Sequence, residues 1–151
     1  MKRDWIDEMV IGLIVTYSTT DVYEICDGLG ITIKRVEKDY PFLFGKNAMY
    51  EKAKDGKETI YVKNGLYKNA ERFAIAHELG HAILHSELLD LSFSCPNTGK
   101  IDREANYFAF KLHNIDIDKY QISHLTSEQL AYVIDLNPEL LDVLMNSEEV
   151  L

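Results

Sequence analysis

The sequence predicts an α+β fold: a small antiparallel sheet of about three strands packed on an HExxH helix and a second chemically loaded helix, followed by a C-terminal helical tail. Three observations predict it. Short alternating runs between residues 31 and 63 are separated by strong turn signals, as in a compact sheet. From about residue 67 the apolar period changes from two to between three and four, as in helices. The chain has 151 residues, 46% of them hydrophobic and 27% charged, which is the composition of one ordinary globular domain and excludes collagen, coiled coil and disorder.

Taken in order, Trp5, Met9, Leu13 and Tyr17 recur at four-residue spacing beside Ile6, Val10 and Ile14, so residues 4 to about 17 read as an amphipathic helix capped by Asp4. Thr20 offers a cap for a second short helix buried through Val22, Ile25, Cys26 and Leu29, with Gly28 and Gly30 ending it. Cys26 reads as core packing. Ile31, Ile33 and Val36 among Thr32, Lys34 and Arg35 predict a strand over 31–36. A Pro41-containing loop leads to a second strand near 47–52. Asp55-Gly56 then supplies a hairpin turn into a third strand over 58–63.

Phe73, Ile75, Ala76, Leu79, Ala82 and Leu84 support one long helix from about 67 to 88. Gly80 inside it costs roughly 1 kcal/mol relative to alanine, which points to close packing or a functional site. Another helix, from Asp102 to about Leu112, buries Ala105, Phe108, Ala109 and Leu112. Two short helices complete the tail. Thr126 with Gln129 forms a capping box, and Asn137-Pro138-Glu139 places a cap and then proline at the first helical position.

Charge narrows the function. Sixteen Lys and Arg against 25 Asp and Glu give a net charge of -9, which argues against direct nucleic-acid binding. Residues 120–151 contain no Lys or Arg, and Glu128, Asp135, Glu139, Asp142, Glu148 and Glu149 contribute -6. That tail is a solvated helical face or a docking surface for a basic partner. The segment 46–72 runs the other way, with seven basic against four acidic residues. The apolar stretch 9–15 is too short to span a membrane, and Asp4, Asp7 and Glu8 stand where a signal peptide would be basic. Cys26 and Cys95 are the chain's two cysteines, too few for a disulfide scaffold, so the expectation is a cytoplasmic protein with no membrane partner.

One pentapeptide carries the chemistry: His77-Glu78-Leu79-Gly80-His81, an HExxH pattern within a predicted helix. Residues four apart lie about 6 Å from one another on one helical face, so both imidazoles can converge on one metal ion. Glu78, one position round the helix, can reach a water at that ion as general base without being a ligand. A chance match in a chain with five histidines is expected on the order of one time in a hundred or less. A hydrolytic zinc site takes three protein ligands and leaves one position open. The third ligand is open among Glu104, Asp102, His85, His113 and His124. His85 would need a helix break to reach the ion, and Glu87 stands where a metzincin needs histidine.

The stretch from Arg72 through His77-Glu78-Leu79-Gly80-His81 to Leu84-His85, followed by Glu104-Ala105-Asn106-x-Phe108-Ala109, resembles the ImmA/IrrE family of metallo-endopeptidases. Residues 22–31 resemble that family's short helix leading into its first strand. The resemblance covers about residues 4–117 and departs from the family where Leu112-His113-Asn114 replaces the frequent Met-Pro pair. It implies a gluzincin-like domain, taken as residues 1–119, and the charge break sets residues 120–151 apart as an acidic helical appendage expected to pack on it. It implies Zn2+ held by His77, His81 and Glu104, with Glu78 catalytic. It further implies a helix-turn-helix repressor protein as substrate, in the setting of a prophage or integrative element. The alternatives are a zinc peptidase with a different protein target and a non-enzymatic anti-repressor; the intact Glu78 speaks against the latter. Tyr61, Tyr67, Asn69 and His124 are candidate oxyanion or substrate contacts, and the 58–63 strand is a candidate sheet edge for strand addition.

Overall fold

The computed structural model describes residues 4–86 and 98–113. The predicted tail helices, Cys95 and His124 lie outside these residues. Helix α1 (Trp5–Tyr17) opens with a capping box: the Asp4 carboxylate accepts from the Ile6 N–H while Asp7 accepts from the Asp4 N–H, satisfying donors that a helix start leaves bare. Helix α2 (Val22–Leu29) is capped by Asp21, whose Oδ1 accepts from Tyr23 N at 2.8 Å. Thr19 and Asp21 thus do at this end what Thr20 was expected to do. Gly28 lies inside the helix, and Gly30, at φ 79°, ends it. That left-handed turn favours glycine because a Cβ would crowd the backbone.

Strand β1 (Ile31–Val36) follows, then a 3-10 turn (Pro41–Leu43), β2 (Ala48–Lys52) and β3 (Glu58–Lys63). The sheet has three strands as expected, in the order β1-β3-β2, but it is mixed. β2 pairs antiparallel to β3 through the hairpin, with Tyr50 opposite Ile60, and β1 pairs parallel to β3, with Ile33 opposite Ile60. Strand β3 is therefore central, and the outer edge beside the helices belongs to β2. The period-2 pattern of β1 sets which side chains face inward and is indifferent to strand direction.

Ile60 and Val62 point inward from β3 with no exposure, and Tyr61 points to the other face, where it packs against Tyr40 and Phe42. On the inner face lies α3 (Lys68–Leu84), and α4 (Thr98–Leu112) packs on α3 and α1. Phe73, Ile75, Leu79, Phe108, Phe110 and Leu112 are fully buried in one core cluster, together with Ile6 of α1, Ile25 and Cys26 of α2, and Ile60 and Val62 of β3. Burial pushes the Cys26 thiol up to about 12, so it stays a neutral packing residue.

Helices α3 and α4 run antiparallel: Arg72 meets His113 at one end, and His81 meets Asp102 towards the other. Gly80 sets how closely they approach. A Cβ there would stand 3.1 Å from Phe108 Cδ1 and 3.2 Å from Ala105 Cα, so the helix gives up side-chain propensity for a backbone contact. This contact lies one residue from His81 and brings the chemical faces of both helices together.

Candidate metal centre

Helix α3 places His77, His81 and His85 at four-residue intervals on one face, all buried. Opposite, α4 presents Asp102 and Asn106, also four apart, and Glu104 between them. The His77 and His81 Nε2 atoms stand 3.1 Å apart, and Asp102 Oδ1 lies 3.1 Å from His81 Nε2 and 3.5 Å from His77 Nε2. Donors around one tetrahedral ion at about 2.0–2.1 Å are separated by roughly 3.3 Å. His77, His81 and Asp102 thus form a group of metal-holding size and chemistry.

The backs of the rings support that reading. His77 Nδ1 faces Asn106 Oδ1 at 2.7 Å. The amide oxygen is an acceptor, so a neutral His77 carries its proton on Nδ1 and turns a bare Nε2 into the centre. Burial disfavours a charge on His77, but the Asp102 and Glu78 carboxylates outweigh it and raise its pKa above the ordinary value. Burial likewise works against ionised Asp102; the His77 and His81 rings at hydrogen-bond distance prevail and hold its carboxyl well below the usual range. A carboxylate facing two imidazoles is an environment that favours a cation.

Glu78 lies beside this group without joining it. Its Oε2 is 3.7 Å from His77 Nε2, and its Oε1 accepts from the Tyr50 main-chain N–H at 2.9 Å. The bond follows from sheet register. Asn47 and Ala53 exchange main-chain hydrogen bonds with Lys63 and Lys57, so the alternate residues Ala48, Tyr50 and Lys52 direct their N–H and C=O groups away from β3. One of those outward groups anchors Glu78.

The other sequence candidates fall elsewhere. Glu104 does not converge with His77 and His81: its Oε1 lies 3.1 Å from His85 Nε2. Two residues apart on a helix means about 200° of rotation, so Asp102 and Glu104 cannot present their carboxylates alike. His85 Nδ1 stands 3.0 Å from His81 Nδ1, behind the ligand ring and outside the donor group. His113 contacts the Arg72 backbone at the far end of α3. Tyr61 faces the opposite side of the sheet, and Tyr67 and Asn69 are exposed at the start of α3. Asn106 entered the sequence reading only as part of the resemblance, although its i+4 spacing from Asp102 marks the same helical face. The Tyr50 amide has no side-chain signature at all.

Known proteins resemble this chain over the same span. The peptidase family described as the IrrE N-terminal-like domain matches residues 26–117, a span containing β1 to α4 and every residue of the centre. The chain is 32% identical over 141 residues to metallopeptidase ImmA of Bacillus subtilis (strain 168), an alignment covering 89% of this chain and 73% of that protein. No solved structure matches the chain. Among the described residues, no helix is long and apolar enough to cross a membrane. The chain belongs to the ImmA/IrrE family of metallopeptidases.

Proposed function

We propose that this chain is a zinc endopeptidase of the cytoplasm that cleaves a helix-turn-helix transcriptional repressor and so relieves repression of a phage or integrative element. The observation that carries the zinc assignment is the 3.1–3.5 Å triangle of two imidazole nitrogens and one carboxylate oxygen, a donor set suited to a tetrahedral ion with an open fourth position. In this reading His77 and His81 are ligands and Glu104 is the third, as the family resemblance implies, with the Asp102 carboxylate beside the same two imidazoles.

A bound zinc ion would supply Lewis acidity towards water and the scissile carbonyl. The protein supplies the rest. Glu78 accepts a proton from the attacking water and passes it to the departing amine nitrogen as the C–N bond breaks. Its Oε1 is fixed by Tyr50 N–H, leaving Oε2 towards the centre. Asn106 holds the His77 ring at the angle its Nε2 needs. Strand β2, rather than β3, offers the edge against which an extended peptide can add, because the outward groups of Ala48 and Lys52 flank the Glu78 anchor.

The target assignment is supported by the similarity to ImmA together with the chain's acidity, which suits a basic partner better than DNA. Incubating the purified protein with the repressor encoded beside its gene, with zinc and with chelator, tests it. Chelator-sensitive cleavage is expected, and Glu78→Gln should lose about 10²–10⁴-fold in rate while still binding zinc. Cleavage retained by Glu78→Gln removes its role as base; binding without cleavage favours the non-enzymatic anti-repressor.

A further inference from the structure

The start of α2, the second turn of α3 and the end of α4 enclose a cavity of about 380 Å³, lined by Thr20, Asp21, Val22, Arg72, Leu112 and His113 together with Thr19. Arg72 stands nine residues before His81, about 13.5 Å along the helix, so the cavity is separate from the metal centre and nothing said of it rests on that centre. Its lining carries both signs of charge. Asp21 uses Oδ1 to accept from the Tyr23 N–H, and among the described residues neither Asp21 nor Arg72 has an ion-pair partner. His113 adds a third polar group. Burial and the neighbouring Arg72 charge push its pKa down, against a hydrogen bond to the Arg72 backbone, and its Nε2 is buried without a hydrogen-bond partner. We propose that this cavity binds a small zwitterion, an amino acid or a short peptide with both termini free, whose carboxylate pairs with Arg72 and whose ammonium pairs with Asp21.

The lining itself selects among ligand classes. An apolar guest would strip water from a carboxylate, a guanidinium, hydroxyls and an imidazole and return no partner to any of them. An anion alone gains Arg72 but meets the Asp21 carboxylate; a cation alone gains Asp21 but meets the guanidinium. A molecule that carries both charges meets neither penalty. The two residues are also held apart by the frame. Asp21 is fixed by its own bonds, its C=O accepting from Ile25 N at 3.0 Å and its N–H donating to Thr19 Oγ1 at 3.0 Å, while Arg72 rises from the body of α3. Opposite charges kept from pairing with each other are preorganised for a guest. Arg72 offers a planar fork that matches a carboxylate. An ammonium has three hydrogens, one for Asp21 and others for the hydroxyl and imidazole acceptors of the same lining. Size agrees, since the volume lies at the low end of the roughly 300–1,000 Å³ of small-molecule sites and far exceeds the 10–15 Å³ or so that admits one water.

The test is calorimetric titration of the purified full chain with alanine, alanyl-alanine, N-acetyl-alanyl-alanine, which lacks the ammonium, and alanyl-alanine amide, which lacks the carboxylate. Saturable one-to-one binding of alanine or alanyl-alanine is expected, and the stronger of the two tells which length spans the charges. Each blocked dipeptide should bind about tenfold or more weakly than alanyl-alanine, the usual cost of one charge-assisted hydrogen bond. Two variants assign the ends. Arg72→Gln should weaken alanyl-alanine to the level of its amide while still discriminating against the acetylated form. Asp21→Asn, which keeps a side-chain cap for α2, should do the converse. Arg72→Lys keeps the charge and should retain most of the affinity. No saturable binding of either zwitterion up to about 10 mM, far weaker than the affinities of specific sites, would overturn the proposal. So would equal binding of the free and blocked dipeptides by wild type, a result that stands even if Arg72→Gln fails to fold. Binding unaltered in both folded variants would place the ligand elsewhere on the molecule and overturn this site.

Discussion

Glu71 and Glu78 sit two turns apart on α3 and illustrate how environment assigns a carboxylate its work. Glu71, with a side chain 12% exposed, takes hydrogen bonds from Arg35 Nε and NH2 at 3.1 and 2.6 Å and from the Tyr23 hydroxyl at 2.5 Å, tying α2, β1 and α3 together. Burial raises its pKa, but these donors prevail and hold it below the ordinary value. A depressed carboxyl contributes stability that is present above its unfolded-state value of about 4.3 and fades as pH falls through the folded one. Arg35→Met should therefore cost about 1 kcal/mol at pH 7, a modest figure because the guanidinium is half exposed and screened. Urea unfolding should show the gap to wild type narrowing by pH 3; an equal gap at both pH values would assign the loss to packing. Residue placement was unevenly legible. The convergence of His77 and His81 follows from spacing alone, since i and i+4 share a face in any helix. Asp102 and Glu104 were not separable, because their relative phase depends on how α4 rotates against α3, and α4 begins at Thr98 rather than at Asp102.

The α3–α4 pair behaves as one unit, since polar side chains of both helices meet over a distance fixed by Gly80 against Ala105 and Phe108. Gly80→Val should lower stability by about 1–3 kcal/mol through overpacking. It should also weaken zinc binding, because separating the helices withdraws Asp102 from His77 and His81. A variant with lowered thermal midpoint and unaltered zinc affinity would show the two effects to be independent. The elements themselves were largely legible: β1 and β3 have the expected bounds, β2 lies within one residue, and α3 ends at Leu84, a turn before the expected limit. Strand order was not. The pattern of β3, with Ile60 and Val62 inward, suits an edge strand and a central one alike. Only the parallel return of β1 onto β3 decides that β3 is central and that β2 keeps an open edge.

For the molecule as a whole, charge is the property most open to test. Of the net -9, residues 120–151 hold -6, and long-range attraction to a basic substrate would act mainly on association rate. Converting Glu128, Asp135, Glu139, Asp142, Glu148 and Glu149 to their amides should slow repressor cleavage at low salt about tenfold and flatten its salt dependence. Cleavage and salt response left unchanged would make those side chains a solvated surface and nothing more. The β2 edge has a different consequence, one that concerns the target's own thermodynamics. A cleft that takes peptide as an added strand admits only chain that has left its native helices. A helix-turn-helix protein exposes such a stretch when it opens locally, and each 1.4 kcal/mol of opening free energy divides the susceptible population by ten. Turnover of a folded target would then follow how easily its cleavage segment melts as much as what that segment's side chains are. A repressor poised to loosen would need no change in this enzyme to be destroyed.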